Sequence, residues 1–238
     1  MIEVNRIPIP NVALRGMPLE ERALFLTLGY VANQLSMLQK LMNMISNREP
    51  TMEVDQYASA AQTQMLLRLM VGAVHEAYER LRKDFLSSPL SREYLPLLDA
   101  GGTSALNDLK KLFGGSNLIS KVRNSFAYHL PSQSEVDAAY ERACADPELG
   151  RFLQMYMSEH GFNSLFLWSD VVFLQAIGIA SNKESLAVAQ NQLMREVVKA
   201  SADLIEFAHA FVIAAWKQYV GPDMVAMDRV RIEGAQHL

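Results

Sequence analysis

The sequence is poor in the residues that cross-link or interrupt a chain. Its 238 residues include one cysteine, Cys144, so no disulfide can form within the chain, and we expect a reducing compartment, the cytoplasm. We expect Cys144 to be a small buried apolar residue. Glycine and proline are sparse, at 12 and 9 residues, while 50% of the residues are hydrophobic. Because the abundant Leu, Ala and Met favour helices, we predict an all-α protein.

The chain also lacks an excess of positive charge and a long apolar run. Its net charge of -4 excludes broad electrostatic wrapping of nucleic acid, because that affinity grows with the number of phosphates neutralised. Any RNA contact must therefore be local. The N-terminus has neither the charged start nor the apolar run of a signal peptide. The longest apolar windows, 165–180 and 207–216, are too short or carry Asp170, so we predict core helices and no membrane partner.

We predict one helical domain over residues 18–221, with an N-terminal arm (1–17) before it and a loosely held tail (222–238) after it. The arm is expected to be extended or to form a covering strand. Helices are predicted where apolar residues recur at spacings of three and four and where capping residues mark an end. Their approximate bounds are 18–46, 51–86, 104–113, 116–130, 134–145, 148–160, 170–179 and 183–220.

Short polar and glycine-containing stretches are expected to separate these helices. Ser116 or Asn117 is predicted to cap the helix 116–130, and Ser134 to cap the helix 134–145. Gly101 and Gly102 are expected to lie between helices. The segment 161–168, G-F-N-S-L-F-L-W, fits either an extended stretch or the start of a helix, and both stay open.

The first long helix has an unusually regular apolar face, which we call the inner seam. Its residues alternate spacings of four and three, so they lie on one side of a helix and are expected to face the core. The inner seam consists of Leu24, Leu28, Val31, Leu35, Leu38, Met42 and Ile45. Met37, Leu41 and Met44 are expected to widen this buried face.

The stretch K-V-R-N-S-F-A-Y-H-L at 121–130 combines an arginine and a histidine on one predicted helix. Six residues of helix amount to about 9 Å of rise and about 600° of rotation, so Arg123 and His129 point roughly 120° apart. They flank an apolar stripe formed by Ile119, Val122, Phe126 and Leu130. We expect this stripe to lie at a contact surface, with a second copy of the helix completing the site across a twofold axis.

R-N-S-F-A-Y-H resembles the motif of HEPN-domain proteins, in which an Arg and a polar residue are followed by a His. The five residues between Arg123 and His129 match that family's usual spacing. The long antiparallel helices predicted before the motif also resemble the family's helical bundle. The resemblance implies a metal-independent endoribonuclease that needs no cofactor and acts as a homodimer on RNA. It further implies a toxin or phage-defence effector, with an antitoxin or regulatory protein as a possible partner.

The resemblance also implies roles for individual residues. Arg123 would hold the scissile phosphate and offset the charge that develops in the transition state. His129 would move protons between the ribose 2'-hydroxyl and the leaving 5'-oxygen. Asn124 would position Arg123 or the phosphate. Tyr128 is not part of the family's usual motif; beside the resemblance, we expect Lys121 to contact RNA and Tyr128 to stack on a base.

Other interpretations stay open. The same fold could serve as a non-catalytic RNA-binding or protein-interaction module, with Arg123 and His129 as ordinary surface and helix-end residues. Glu206 and His209 have the E-x-x-H spacing of di-iron bundles, but such a site needs two of these motifs and the sequence offers one, so we predict no metal. On the second helix, Glu76 is expected to support the motif helix as a polar neighbour.

Overall fold

A computed structural model describes residues 2–6, 9–49, 51–123, 132–150, 154–160, 164–181, 186–220 and 228–232. Regular structure in these ranges is helical apart from one two-stranded ladder and one isolated bridge. The predicted all-α class is confirmed, with two short strands added to it. None of the described helices combines the length and the apolar character that crossing a membrane requires.

The elements follow one another along the chain with these bounds. They are β1 (Ile2–Arg6), α1 (Asn11–Gly16), α2 (Leu19–Ser46), α3 (Glu53–Leu81), α4 (Leu90–Tyr94), α5 (Ala100–Phe113), α6 (Leu118–Val122), α7 (Gln133–Ala145), α8 (Pro147–Gly150), α9 (Leu167–Ser181), α10 (Leu186–Val220) and β2 (Asp228–Ile232). A π-helical turn (Arg82–Leu86) extends α3, and a 3₁₀ turn (Leu95–Leu97) extends α4.

The three longest helices agree with their predicted bounds, and α3 reaches its predicted end through the π-helical turn. The prediction of a helix over 148–160 is wrong for residues 154–160. The described helix α8 ends at Gly150, and Tyr156 instead exchanges two backbone hydrogen bonds of 2.8 Å with Leu165. Side-chain exposure alternates from residue 154 to residue 159, which is the period of a strand.

The cap of α7 also differs from the prediction. Ser132, and not Ser134, accepts a hydrogen bond from the backbone N–H of Glu135, and the Glu135 carboxylate accepts in return from Ser132. These bonds hold the pKa of Glu135 below its usual value. The capping box stabilises because it satisfies two helix-end donors at once.

A short strand lies near each end of the described chain, and the first agrees with the covering strand expected as one alternative for the N-terminal arm. β1 and β2 form an antiparallel ladder that pairs Ile2 with Ile232 and Arg6 with Asp228. Within the predicted arm, α1 forms a helix whose Ala13 is buried, and Met17 is buried just after it. The segments expected to be an arm and a loose tail therefore pair with each other.

Contacts divide the chain into two compact units. Unit 1 comprises Met1–Lys40, Glu76–Lys111 and Ala202–Leu238, and unit 2 comprises Leu41–His75 and Leu112–Ser201. The helices α2, α3 and α10 each contribute residues to both units. The division into an arm, one domain and a tail stays a prediction.

The core of unit 1 contains a cluster of aromatic rings. Phe85 lies 5.2 Å from Phe207 and 5.8 Å from Phe211 between ring centroids, and Tyr94 lies 4.7 Å from Phe211. Edge and tilted arrangements at these distances are favourable for the ring quadrupoles. The cluster joins the π-helical turn, α4 and α10.

A buried carboxylate lies in the same unit. Glu21 of α2 is 1% exposed and accepts hydrogen bonds from the hydroxyls of Tyr94 and Tyr219, the latter at 2.7 Å. These bonds replace the water that a buried carboxylate loses, and they tie α2 to α4 and α10. Burial, followed by the bond to Glu21, raises the pKa of Tyr219 to about 12 and also raises that of Tyr94.

The inner seam of α2 is buried or partly buried along its whole length, as predicted. The prediction that Met37, Leu41 and Met44 widen this buried face is wrong, because all three are exposed. These three residues lie about 100° around the helix axis from the neighbouring inner-seam residues. α2 therefore has two apolar faces, of which the inner one is covered.

Unit 2 has its own hydrophobic cluster between α7 and α9. Ala139 and Ala143 of α7 pack against Leu167, Val171 and Val172 of α9. Tyr57 at the start of α3 and the bridged pair Tyr156 and Leu165 cover this cluster. The alanines allow the two helices to approach closely. Cys144, one residue further along α7, is exposed, which corrects the prediction that it is buried.

Gly101 and Gly102 lie inside α5, contrary to the prediction that they separate helices. A methyl group on Gly102 would overlap the Cβ of buried Ala210 in α10. One on Gly101 would overlap the flexible end of the exposed Glu206 side chain, which can move, and would make an ordinary contact with Asp99. We predict that Gly102→Ala destabilises the protein by about 1–3 kcal/mol through overpacking. Gly101→Ala, the matched control, should be neutral or stabilising by up to about 1 kcal/mol. Urea unfolding measures both, and equal effects would contradict the close α5–α10 contact.

The free energy of unfolding should fall at high pH, because Tyr94 and Tyr219 must be protonated to donate hydrogen bonds to Glu21. The pKa of Tyr219 is about 12 in the folded chain, above the value of about 10 for an unfolded one, so its contribution is complete below pH 10 and is lost between pH 10 and 12. We predict that Tyr219→Phe is less stable at pH 8 and loses less stability over that alkaline range. Parallel pH profiles for wild type and Tyr219→Phe would contradict this role.

Candidate functional site

The helix that begins the R-N-S-F-A-Y-H motif is α6, and two side chains fix its start. Asn117 is the N-cap, and its Oδ1 accepts from the Ser120 N–H at 2.8 Å, which confirms one of the two predicted caps. The carboxylate of Glu196 on α10 accepts from the Leu118 N–H at 2.9 Å. Both acceptors satisfy N–H groups that have no partner within the helix. A carboxylate here also interacts favourably with the helix dipole.

Asn117 also anchors the turn before α6. Its Nδ2 donates to the backbone oxygens of Leu112 at 3.3 Å and Gly115 at 3.2 Å. Gln192 donates to the second oxygen of Glu196 at 2.9 Å, which orients that carboxylate. The start of the motif helix is therefore held by side chains from the preceding turn and from α10.

The apolar side of α6 is covered within the chain. Leu118, Ile119 and Val122 are all buried, and α6 packs against α9. The prediction that the apolar stripe faces a second copy is therefore wrong for Ile119 and Val122. Burial of these residues instead gives the helix a fixed position in unit 2.

Arg123 follows directly as the C-cap of α6. Its φ and ψ of -56° and -46° are helical, and its N–H donates to the backbone oxygens of Ile119 and Ser120. Its side chain is partly buried, with Nε shielded from solvent, whereas Lys121 is exposed. A guanidinium on a fixed backbone beside a solvent-exposed ammonium is suited to contact a phosphate.

The remaining motif residues, Asn124, Tyr128 and His129, lie outside the described residues. Glu76, the predicted supporting residue, is exposed on α3 and belongs to unit 1, whereas Arg123 belongs to unit 2. His75, its neighbour, packs the edge of its ring against Phe113 with centroids 6.3 Å apart. The described residues of the predicted site are therefore Glu76, Lys121 and Arg123.

An open cleft of about 1000 Å³ begins where the described chain resumes after the motif. Its walls are formed by the start of α7, from Ser132 to Tyr140, and by Trp168 and Val172 of α9. His129 stands three positions before Ser132 in the sequence.

Two exposed aromatic side chains, Tyr140 and Trp168, line this cleft. The backbone N–H of Trp168 donates to the backbone oxygen of Gln154 at 3.0 Å, which fixes the first turn of α9. Asp137 is the charged side chain in the described lining, so the cleft suits a flat ring better than a phosphate. Sequence reasoning missed both aromatic residues, although the Ser-x-x-Glu capping box at Ser132 marked this position.

An ion pair lies in the same unit, between α3 and α9. Arg68 and Asp170 approach to 3.6 Å, and both side chains are largely shielded from solvent. Burial raises the pKa of Asp170 more than the guanidinium lowers it. Removing two charges from water costs free energy that offsets most of their attraction, so the pair contributes little net stability.

The rival metal site is not assembled in the described part of the chain. Glu206 and His209 are both exposed on α10, and no group of three or more His, Cys, Asp or Glu side chains among the described residues could hold a metal ion.

The chain matches no family model, no curated protein and no solved structure.

The position of α6 should depend on the cap at Asn117. We predict that Asn117→Ala destabilises the protein by about 1–2 kcal/mol, because it removes a helix cap and two further hydrogen bonds. Asn117→Asp keeps the acceptor for Ser120 but loses both Nδ2 donations, so its cost should be intermediate. Chemical denaturation measures the series. Equal stability of all three proteins would contradict this anchoring role.

Proposed function

We propose that this chain is a metal-independent endoribonuclease of the HEPN type, with Arg123 and His129 as its catalytic residues. The observation that carries the proposal is the fixed position of Arg123, at the end of an anchored helix and six residues before His129 in the sequence. The likeness of the motif to HEPN proteins supplies the reaction class.

In the proposed reaction, His129 takes the proton from a ribose 2'-hydroxyl. The 2'-oxygen then forms a bond to phosphorus, and the bond from phosphorus to the 5'-oxygen breaks. His129 then returns this proton to the leaving 5'-oxygen, so the products are a 2',3'-cyclic phosphate and a 5'-hydroxyl end. Arg123 offsets the charge that develops on the phosphoryl oxygens, which is a large contribution in phosphoryl transfer. Asn124 orients Arg123, and Lys121 contacts the phosphate backbone of the RNA.

Recognition of RNA is proposed to use bases as well as phosphates. Tyr140 and Trp168 present exposed rings beside the start of α7, and bases of single-stranded RNA stack on such rings. Local contacts of this kind fit a chain whose net charge is -4. We also propose, on the resemblance alone, a homodimeric toxin or phage-defence effector that an antitoxin or regulatory protein holds inactive.

RNA cleavage by purified variants tests the enzyme directly. Wild type, Arg123→Ala and His129→Ala are incubated with total RNA in the presence of a chelator. We predict that each substitution lowers the rate at least about 100-fold, since each removes a group that acts in the transition state. Arg195→Ala and His209→Ala, both at exposed positions of α10, are matched controls that should retain wild-type rates. Circular dichroism checks that every variant folds.

The outcome separates the enzyme from a binding module. Cyclic-phosphate ends that disappear in both motif variants support the ribonuclease. The same background cleavage in all proteins refutes it. If RNA binding persists without cleavage and is lost in Trp168→Ala, the chain is a non-catalytic RNA-binding module.

Mixing the two inactive variants tests whether the site is shared between copies. If Arg123 of one copy works with His129 of the other, random exchange yields one intact site in half of the dimers, so about a quarter of wild-type activity should return. No recovery would place both groups of the site in one copy.

A further inference from the structure

The exposed side of α2 carries a second apolar stripe, which we call the outer seam. It consists of Leu19, Leu26, Tyr30 and Met37, which are 72%, 54%, 67% and 57% exposed, all within unit 1. Ala23 and Asn33 fill the intervening positions and are exposed as well. The stripe lies about 130–150° around the helix axis from the inner seam.

The outer seam has the spacing of a helix that pairs with another helix. Its positions 19, 23, 26, 30, 33 and 37 alternate steps of four and three, and Leu41 and Met44 continue the stripe on the same helix. This is the apolar repeat of a two-helix coiled-coil contact. The seam contains no charged residue, and its polar position is a single asparagine, Asn33.

The exposed area is large enough for a specific interface. From the exposed fractions, the four large side chains present on the order of 550 Å² per protomer, so a symmetric pair would bury about 1,100 Å². A specific interface needs about 1,000 Å² in total. A patch of this size also lies at the upper end of what a monomer leaves exposed.

We propose that the outer seam pairs with the outer seam of a second copy of this chain, helix against helix. A twofold pair is self-complementary, so it needs no charged counterpart, and the uncharged seam offers none. Asn33 would then meet polar atoms of the partner helix and limit the registers that the pair can adopt. Ile119 and Val122 are buried within the chain, so the first turns of the motif helix do not form the contact surface between two copies. The outer seam offers a different contact surface.

The inference rests on the proposed function only for the expectation of a dimer. Its physical basis is the exposure and spacing of α2, which do not depend on RNA cleavage. Its failure and the failure of the ribonuclease proposal can therefore be told apart by measuring mass and activity separately.

Sedimentation equilibrium across the micromolar range tests the pairing. Wild type should sediment at twice the chain mass of 26.7 kDa. The double variant Leu26→Glu with Met37→Glu places charges at two seam positions and should weaken the dimer at least about 100-fold. The matched control is Leu97→Glu with Ile213→Glu, at residues of unit 1 that are 52% and 47% exposed outside the seam. It should remain dimeric, and circular dichroism should show both variants folded.

Several results would overturn the inference. Monomeric wild type would do so, whether or not it cleaves RNA, and so would a seam variant that stays dimeric. Equal dissociation of the control would show that the charge effect is not specific to the seam. Monomeric wild type that binds vesicles of mixed neutral and anionic phospholipids would reassign the seam to a lipid surface. Arg123→Ala should leave the dimer mass unchanged even if it abolishes activity.

Discussion

The start of α6 is the constraint on which the candidate site depends. A helix of five residues cannot hold itself in place, because most of its N–H groups have no partner inside the helix. Here Asn117 and Glu196 accept two of these N–H groups, while Leu118, Ile119 and Val122 bury the apolar side. Arg123 therefore emerges from a fixed backbone. A guanidinium that is positioned in advance loses less entropy when it binds a phosphate.

The two faces of α2 show how one helix can stabilise a fold and still offer a surface. The inner seam contributes to the core, and Glu21 on the same helix is bound by two tyrosines. The outer seam stays exposed although it too is largely apolar. In the proposed dimer, the outer seam brings two copies together without using α6, which is already packed inside each chain.

Much of the fold could be predicted, because the longest helices repeat one spacing over many turns and cap residues mark their ends. Part of the candidate site could also be predicted from the sequence, since Asn117 was one of two predicted caps and Arg123 belonged to the Arg–His motif on the same predicted helix. The exceptions have local causes. Residues 154–160 are apolar enough for a helix, but Tyr156 pairs with Leu165. The spacing of apolar residues along the sequence does not reveal such a pairing. Ser132, and not Ser134, caps α7 because the Glu135 side chain accepts a hydrogen bond from Ser132 in return.

The sequence by itself determined the helical class, the long helices and the position of the Arg–His motif, because each depends on neighbours within a few residues. Only the tertiary structure decided which apolar faces are covered. Met37 and Ile119 are both apolar residues on regular helices, yet one is exposed and the other is buried. The tertiary structure also brought Glu196 to α6 and Trp168 beside Tyr140. Such contacts join residues far apart in the chain, and they form only when helices pack.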